Sequence, residues 1–131
     1  MSSPRVSVVT PTFNRKDRLE RVLDALRTQD VSPELFEQVI VDDGSSDGTG
    51  DWLKRQSLPF AIHVETQENS GPAAARNRGV KAARGEIILF LDDDVVPVPE
   101  LIGEHLKVHQ AESGDVVVLG TLSSLPYYPQ P

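Results

Sequence analysis

A chain of 131 residues is long enough for one domain with a buried core, and its formal net charge of −7, from 20 acidic and 13 basic residues, argues against a generic nucleic-acid surface. The absence of cysteine excludes disulfides, thiolate metal sites and a cysteine nucleophile. No apolar stretch approaches the roughly 20 residues of a membrane helix, and Met1-Ser2-Ser3-Pro4-Arg5 lacks the apolar core of a secretory signal. The expectation is a soluble cytoplasmic protein, with peripheral association at the cytoplasmic face of a membrane left open.

Apolar runs and helical patterns alternate along the chain. Residues 6–10 read as a first strand. Leu19, Val22, Leu23 and Leu26 follow at i, i+3, i+4 and i+7, the spacing of an amphipathic helix. Asn14 is placed as its N-cap, and Asp17 three positions later resembles a capping box. A second strand over 38–41 leads to a short helix over 47–56, then a third strand over 61–64. A helix over 72–84 opens on Pro72, which suits a first helical position. A strand over 87–91, a helix over 99–110 and a fifth strand over 116–119 complete the pattern. This alternation predicts an α/β fold, a mainly parallel sheet flanked by helices, within a domain of residues 1–120. Residues 121–131 are proline-rich and read as a tail or linker.

Three aspartates, Asp92, Asp93 and Asp94, directly follow the apolar run Ile87-Ile88-Leu89-Phe90-Leu91. Three carboxylates at the end of a buried strand repel one another, so something positive should neutralise them. A hard divalent cation, Mg²⁺ or Mn²⁺, suits that role, and substrate phosphates commonly complete its shell. Strand one ends in Thr10-Pro11-Thr12-Phe13-Asn14-Arg15, and strand two in Asp42-Asp43-Gly44-Ser45-Ser46-Asp47-Gly48. With strands two, one and four as neighbours, all three clusters line one cleft at the carboxyl edge of the sheet. Capping accounts for Asn14 and Asp47, but not for two carboxylates ending one strand and three ending another.

On the third helix Ala75, Gly79, Ala82 and Ala83 form a small face that permits close approach to the sheet. Arg76 borders that face, one turn inside the helix, and is the arginine chosen for a phosphate ligand. Arg78, Lys81 and Arg84 point further out and are expected in solvent.

Other motifs fail. An EF-hand loop starting at Asp43 would place its twelfth-position acid on Lys54. Neither GxGxxG after the first strand nor a P-loop is present. His105 and His109 lie i, i+4 without a third ligand and read as helix surface. A receiver-like signalling domain would place its acids after strands one and three, whereas here they follow strands two and four.

Four blocks, in order, resemble glycosyltransferase family 2 with its GT-A, Rossmann-like fold. They are Val6-Ser7-Val8-Val9-Thr10-Pro11-Thr12-Phe13-Asn14-Arg15, Val39-Ile40-Val41-Asp42-Asp43-Gly44-Ser45-Ser46-Asp47-Gly48-Thr49, Asn69-Ser70-Gly71-Pro72-Ala73-Ala74-Ala75-Arg76-Asn77-Arg78-Gly79 and Gly85-Glu86-Ile87-Ile88-Leu89-Phe90-Leu91-Asp92-Asp93-Asp94. The resemblance implies inverting transfer from a nucleoside-diphosphate sugar, most often a UDP-sugar, to a glycan, lipid or protein acceptor. It places Thr10 and Asp43 against the base, with Pro11 and Asp42 shaping that pocket and Arg76 reaching the nucleotide. Asp92, Asp93 and Asp94 stand where the family has its DxD motif. Asp94 would ligate Mn²⁺ or Mg²⁺, joined by Asp92, which also touches ribose or sugar, while Asp93 belongs to the donor site. The family carries its acceptor site and catalytic base further downstream, and Glu104, Glu112 and Asp115 match no base position. The expectation is the donor half of a longer enzyme, truncated after the fifth strand and inactive alone, or else a nucleotide-sugar-binding module without transfer activity.

Overall fold

The computed structural model describes residues 3–112 and 114–120. Strands β1 (Val6–Thr12), β2 (Phe36–Asp42), β3 (Ala61–Thr66) and β4 (Ile87–Phe90) form a parallel sheet in the order β3-β2-β1-β4. Helix α1 (Lys16–Leu26) joins β1 to β2, α2 (Thr49–Lys54) joins β2 to β3, α3 (Pro72–Ala82) joins β3 to β4, and α4 (Leu101–Ala111) follows β4. The chain builds outward from β1 to β3, then crosses back to add β4 on the far side of β1. That reversal makes a switch point between the carboxyl ends of β1 and β4, where open parallel sheets bind ligands.

Side chains alternate between the two faces of the sheet. Val6 and Val8 of β1, Phe36 and Ile40 of β2, and Leu89 and Leu91 at β4 share one core with Leu19, Val22, Leu23 and Leu26 of α1, Leu53 of α2, and Ile102 and Leu106 of α4. Helix α3 covers the other face. A Cβ on Gly79 would stand 2.4 Å from Val9 Cγ1 and 3.3 Å from Val41 Cγ2, so α3 reaches the sheet because position 79 has no side chain. The small face expected from the sequence is the packing face, with Ala75 and Gly79 buried. Both central strands are buried along their whole length, including the polar Ser7, Thr10, Glu37 and Gln38, which find partners within the fold.

Two carboxylates on the α3 side hold the ends of that helix. Glu37 of β2 is 2% exposed and accepts from Ser7 Oγ (2.6 Å), the Arg84 backbone N–H (2.7 Å) and Arg84 Nε (3.2 Å), just past the carboxyl end of α3. Asp43, just past β2, accepts from the Ser70 and Gly71 N–H groups immediately before α3 begins. Arg84 is therefore the partner of a buried acid, which corrects the expectation that it is simply solvated. Arg78 is also paired, with Glu65 at 3.3 Å, in a half-exposed bridge of the kind that adds little stability.

Burial pushes the Glu37 carboxyl up, but Ser7, the Arg84 N–H and the Arg84 guanidinium outweigh it and hold it below the ordinary glutamate value of 4.5. The stability this lends is fully present above the unfolded-state pKa and is lost as pH falls through the lower folded-state value. At pH 7, Glu37→Gln is expected to lose about 1–3 kcal/mol in urea unfolding. The gap to the parent should shrink as pH drops below about 4. A gap that stays constant from pH 7 to pH 3 would show that the charge on Glu37 is immaterial.

Several expected elements differ. Residues 116–120 form no strand, and Val117 and Leu119 are 90% and 91% exposed. An apolar run becomes a strand only where a free edge and a covering layer bury it, and among the described residues neither meets this run. The sheet accordingly has four described strands. Asn14 does not cap α1; it adopts a left-handed conformation (φ 52°), and Arg15 occupies the cap position. His105 is 7% exposed, so it belongs to the edge of the core and not to the helix surface; burial, then His109, lowers its pKa. Residues 121–131, read as a tail, lie outside the described residues. Among those described, no helix is long and apolar enough to cross a membrane.

Candidate functional site

The loops after β1, β2 and β4 meet at the carboxyl edge. Thr12 pairs with Asp42 in the parallel register, and the Leu91 N–H donates to the Val9 carbonyl at 3.0 Å, so the chain beyond β4 still runs beside β1. Two contacts stitch the first two loops together. The Asn14 N–H donates to Ser45 Oγ at 2.9 Å, and Asn14 Oδ1 accepts from the Ser46 N–H at 2.7 Å. Asp47 then serves two helices. One oxygen accepts from the Lys16 N–H that opens α1 (3.1 Å), the other from the Thr49 N–H that opens α2 (3.1 Å) and from the Thr49 hydroxyl. The expected capping role of Asp47 holds, and it extends to a helix from another loop.

The three aspartates after β4 differ in burial and in partners, Asp93 and Asp94 sharing Arg15. Asp92 is half-exposed and accepts from Arg76 Nη2 at 2.9 Å. Asp93 is 5% exposed and accepts from Thr12 Oγ1 at 3.0 Å and from Arg15 Nη1 at 3.2 Å. Asp94 is exposed, with Arg15 Nη1 4.0 Å from its Oδ2. Burial pushes the Asp93 carboxyl up; Thr12 and Arg15 draw it down less strongly, and the nearby Asp94 charge adds to the rise. The repulsion read from the sequence is therefore answered in part by two guanidiniums, Arg76 and Arg15. Arg76, chosen from the sequence for a phosphate ligand, is paired here with Asp92. Arg15 and Thr12 carried no assigned role. Arg15 closes the block after strand one, but its pairing with Asp93 depends on β1 and β4 being neighbours.

At the end of β2 the two carboxylates divide their work. Asp42, 3% exposed, accepts from the Ser45 N–H at 3.0 Å and closes the turn. Asp43, 4% exposed, accepts from Gln67 Nε2 (2.8 Å), the Ser70 N–H (2.8 Å) and the Gly71 N–H (2.9 Å). Burial raises its pKa, but these three donors outweigh it and hold the carboxyl below the ordinary aspartate value. Gly44 permits the turn beyond. Its φ is +86°, and a Cβ there would press to 3.0 Å on the Asn69 backbone nitrogen. Thr10 and Pro11 are buried, and the Thr10 hydroxyl accepts from Gln38 Nε2 at 2.7 Å. Thr10 therefore turns its hydroxyl into the fold and not toward the cleft. Gln38 Oε1, also buried, is without a protein partner.

Among the described residues no three His, Cys, Asp or Glu side chains converge as a ready metal cage. A cage is not what an ion of this kind needs beside phosphates. Mg²⁺ at such sites keeps several waters and takes one or two carboxylates plus phosphate oxygens. Asp94 is 46% exposed at its side chain, and Asp92 is 50% exposed with one oxygen on Arg76, so both have oxygen lone pairs open to the cleft. The donor set fits a hard cation shared with a phosphorylated ligand.

The model of the family "Glycosyl transferase family 2" matches residues 7–125. Validoxylamine A glucosyltransferase of Streptomyces hygroscopicus subsp. limoneus is 39% identical over 119 residues, 89% of this chain and 26% of that protein. Poly(ribitol-phosphate) beta-glucosyltransferase of Bacillus spizizenii is 38% identical over 93 residues, 69% of this chain and 15% of that protein. The crystal structure of S. aureus TarS 1-349 in complex with UDP-GlcNAc superposes with a TM-score of 0.77 at 31% identity, covering 82% of this chain and 31% of that 1-349 chain. The mannosyltransferase PcManGT from Pyrobaculum calidifontis, in complex with GDP-Man and Mn²⁺, superposes with a TM-score of 0.74 at 31% identity, covering 82% and 32%. The chain thus spans about a third or less of these relatives. A switch-point cleft with three aspartates, in a parallel sheet superposing on both solved transferases, together with a family match over nearly the whole chain, makes this protein a member of glycosyltransferase family 2.

Proposed function

We propose that this chain is the donor-binding part of an inverting, metal-dependent glycosyltransferase that takes a nucleoside-diphosphate sugar, with a UDP-sugar as the first candidate. The observation that carries the proposal is the run Asp92-Asp93-Asp94 at the switch point, with Arg76 on Asp92 and Arg15 on Asp93. In the relatives, TarS is in complex with UDP-GlcNAc and PcManGT with GDP-Man and Mn²⁺, which supports both the donor class and the ion.

The roles follow from position. Asp43 accepts from a ring N–H of the base while keeping hold of the loop before α3, and Asp42 keeps the turn closed beneath it. Pro11 shapes that pocket, while Thr10 keeps its hydroxyl on Gln38 and out of it. Arg76 leaves or shares Asp92 to meet the nucleotide, and the freed Asp92 oxygens face ribose or sugar. Asp93 stays within the fold and fixes the loop. A bound Mn²⁺ or Mg²⁺, held by Asp94 with Asp92, would supply Lewis-acid stabilisation of the leaving diphosphate.

Calorimetry tests the donor reading. UDP is expected to bind with Mn²⁺ present and to weaken by about tenfold or more in excess chelator, because carboxylates repel a diphosphate until a cation intervenes. Asp94→Asn should lose this metal dependence. Asp47→Asn should keep it and lower the melting temperature, since Asp47 serves two helix starts. Equal UDP affinity with and without the ion would remove the bridging-metal role.

A further inference from the structure

Arg15 has a geometry that neutralising a buried acid does not explain. Its Nη1 lies 3.2 Å from Asp93 Oδ1 and 4.0 Å from Asp94 Oδ2, while its side chain stays 50% exposed. Asp93 is buried and also bound by Thr12 Oγ1, so that end of the contact is fixed. Asp94 is exposed, and its contact with Arg15 is the long one. Arg15 is thus anchored by one carboxylate and rests loosely against another. A guanidinium carries five donors in a planar fork. Nη1 is the contacting atom in both pairs, and the half of the side chain that stays exposed leaves guanidinium edge for a further acceptor.

Resting on the donor reading above, we propose that Arg15 is a further phosphate-binding residue of this site, which keeps Asp93 throughout and exchanges Asp94 for the donor's diphosphate when a divalent cation takes Asp94. Before the nucleotide arrives, Arg15 competes with the ion for Asp94, so the free cation binds weakly. Once the diphosphate is present, the ion and the free edge of Arg15 attract the same anion and cease to compete. Cation binding and nucleotide binding then favour each other, and the coupling is reciprocal. A guanidinium fork suits a phosphate, being weakly hydrated and rich in parallel donors.

The test is calorimetry on the 131-residue chain with Mn²⁺ alone and with UDP at saturating Mn²⁺. Arg15→Gln keeps an amide donor for Asp93 while removing the charge. It should bind Mn²⁺ alone about three- to tenfold tighter and UDP–Mn²⁺ about tenfold weaker. Arg15→Lys retains the charge, so its Mn²⁺ affinity should stay within about twofold of the parent and its UDP–Mn²⁺ affinity within about threefold. Opposite changes for the two ligands are what a purely structural Arg15 would not produce. Arg15→Gln weakening both ligands, or changing neither, overturns the proposal. Should Arg15→Gln fail to melt cooperatively, Arg15→Lys decides: a tenfold loss of UDP–Mn²⁺ affinity, or a marked change toward Mn²⁺ alone, overturns it. A parent chain that binds neither UDP nor GDP with Mn²⁺ would instead refute the donor reading itself.

Discussion

Gly79→Val is expected to lower the melting temperature by roughly 10 °C, corresponding to about 3 kcal/mol of lost stability. A Cβ at this position would stand 2.4 Å from Val9 Cγ1, well inside contact distance, and the obstacle belongs to a central strand buried on both sides. Neither element can yield cheaply. Val9 is fully buried, and α3 is held at both ends by carboxylates from the β2 segment. Gly79→Ala is the sharper control. In an exposed helix that change stabilises by about 1 kcal/mol through propensity alone. Here it should destabilise, because the methyl group meets Val9 before propensity counts. Thermal melts of the two variants decide the matter. An alanine variant as stable as the parent would show that α3 sits further from the sheet than these distances state.

Asp43→Ala should cost roughly 1–3 kcal/mol of UDP affinity and narrow the preference for UDP over ADP. The variant removes a buried carboxylate that accepts from Gln67, Ser70 and Gly71. It should therefore also lower the melting temperature, as the loop before α3 loses its acceptor. The two losses separate in one experiment. Calorimetry with UDP and ADP reads recognition, and a melt on the same sample reads the loop. Unchanged affinity for both nucleotides beside a lowered melting temperature would mean that Asp43 serves the loop and not the ligand.

Much of the architecture was legible because it is written locally. The run around Val8 and Val9 reported a strand, and the Leu19, Val22, Leu23, Leu26 stripe reported a helix with one apolar side. The run over 87–91, read as a buried strand, is instead an edge strand with Phe90 51% exposed. The placing of Asp92, Asp93 and Asp94 at the end of β4 followed from the same logic, as did the small face of α3. Less legible were the contacts whose partners lie far apart in sequence. Nothing around Glu37 points to Arg84, and nothing around Asp93 points to Arg15, because only the order β3-β2-β1-β4 brings them together. Asn14 read as a cap because its residue type suits one. The fold instead uses its amide to bind Ser46 across the neighbouring loop. Thr10 shows the same limit, since the pleat decides which way a strand residue faces, and here it faces Gln38.

The anchoring of α3 at both ends makes its length a fixed dimension of the molecule. Glu37 and Asp43 bracket β2 and grip the chain just after and just before the helix, so the strand acts as a ruler against which the helix is cut. One residue inserted between Arg76 and Gly79 would turn the two out of phase by about 100° and lengthen the helix by about 1.5 Å. With Gly79 still against Val9, Arg76 would swing away from Asp92; with Arg76 kept in place, a side chain would be driven into the sheet. A change of length here is therefore expected to be tolerated only in loops outside the two grips, and the distance from the foot of the sheet to the ligand edge is set by β2 and the β1 strand in register with it.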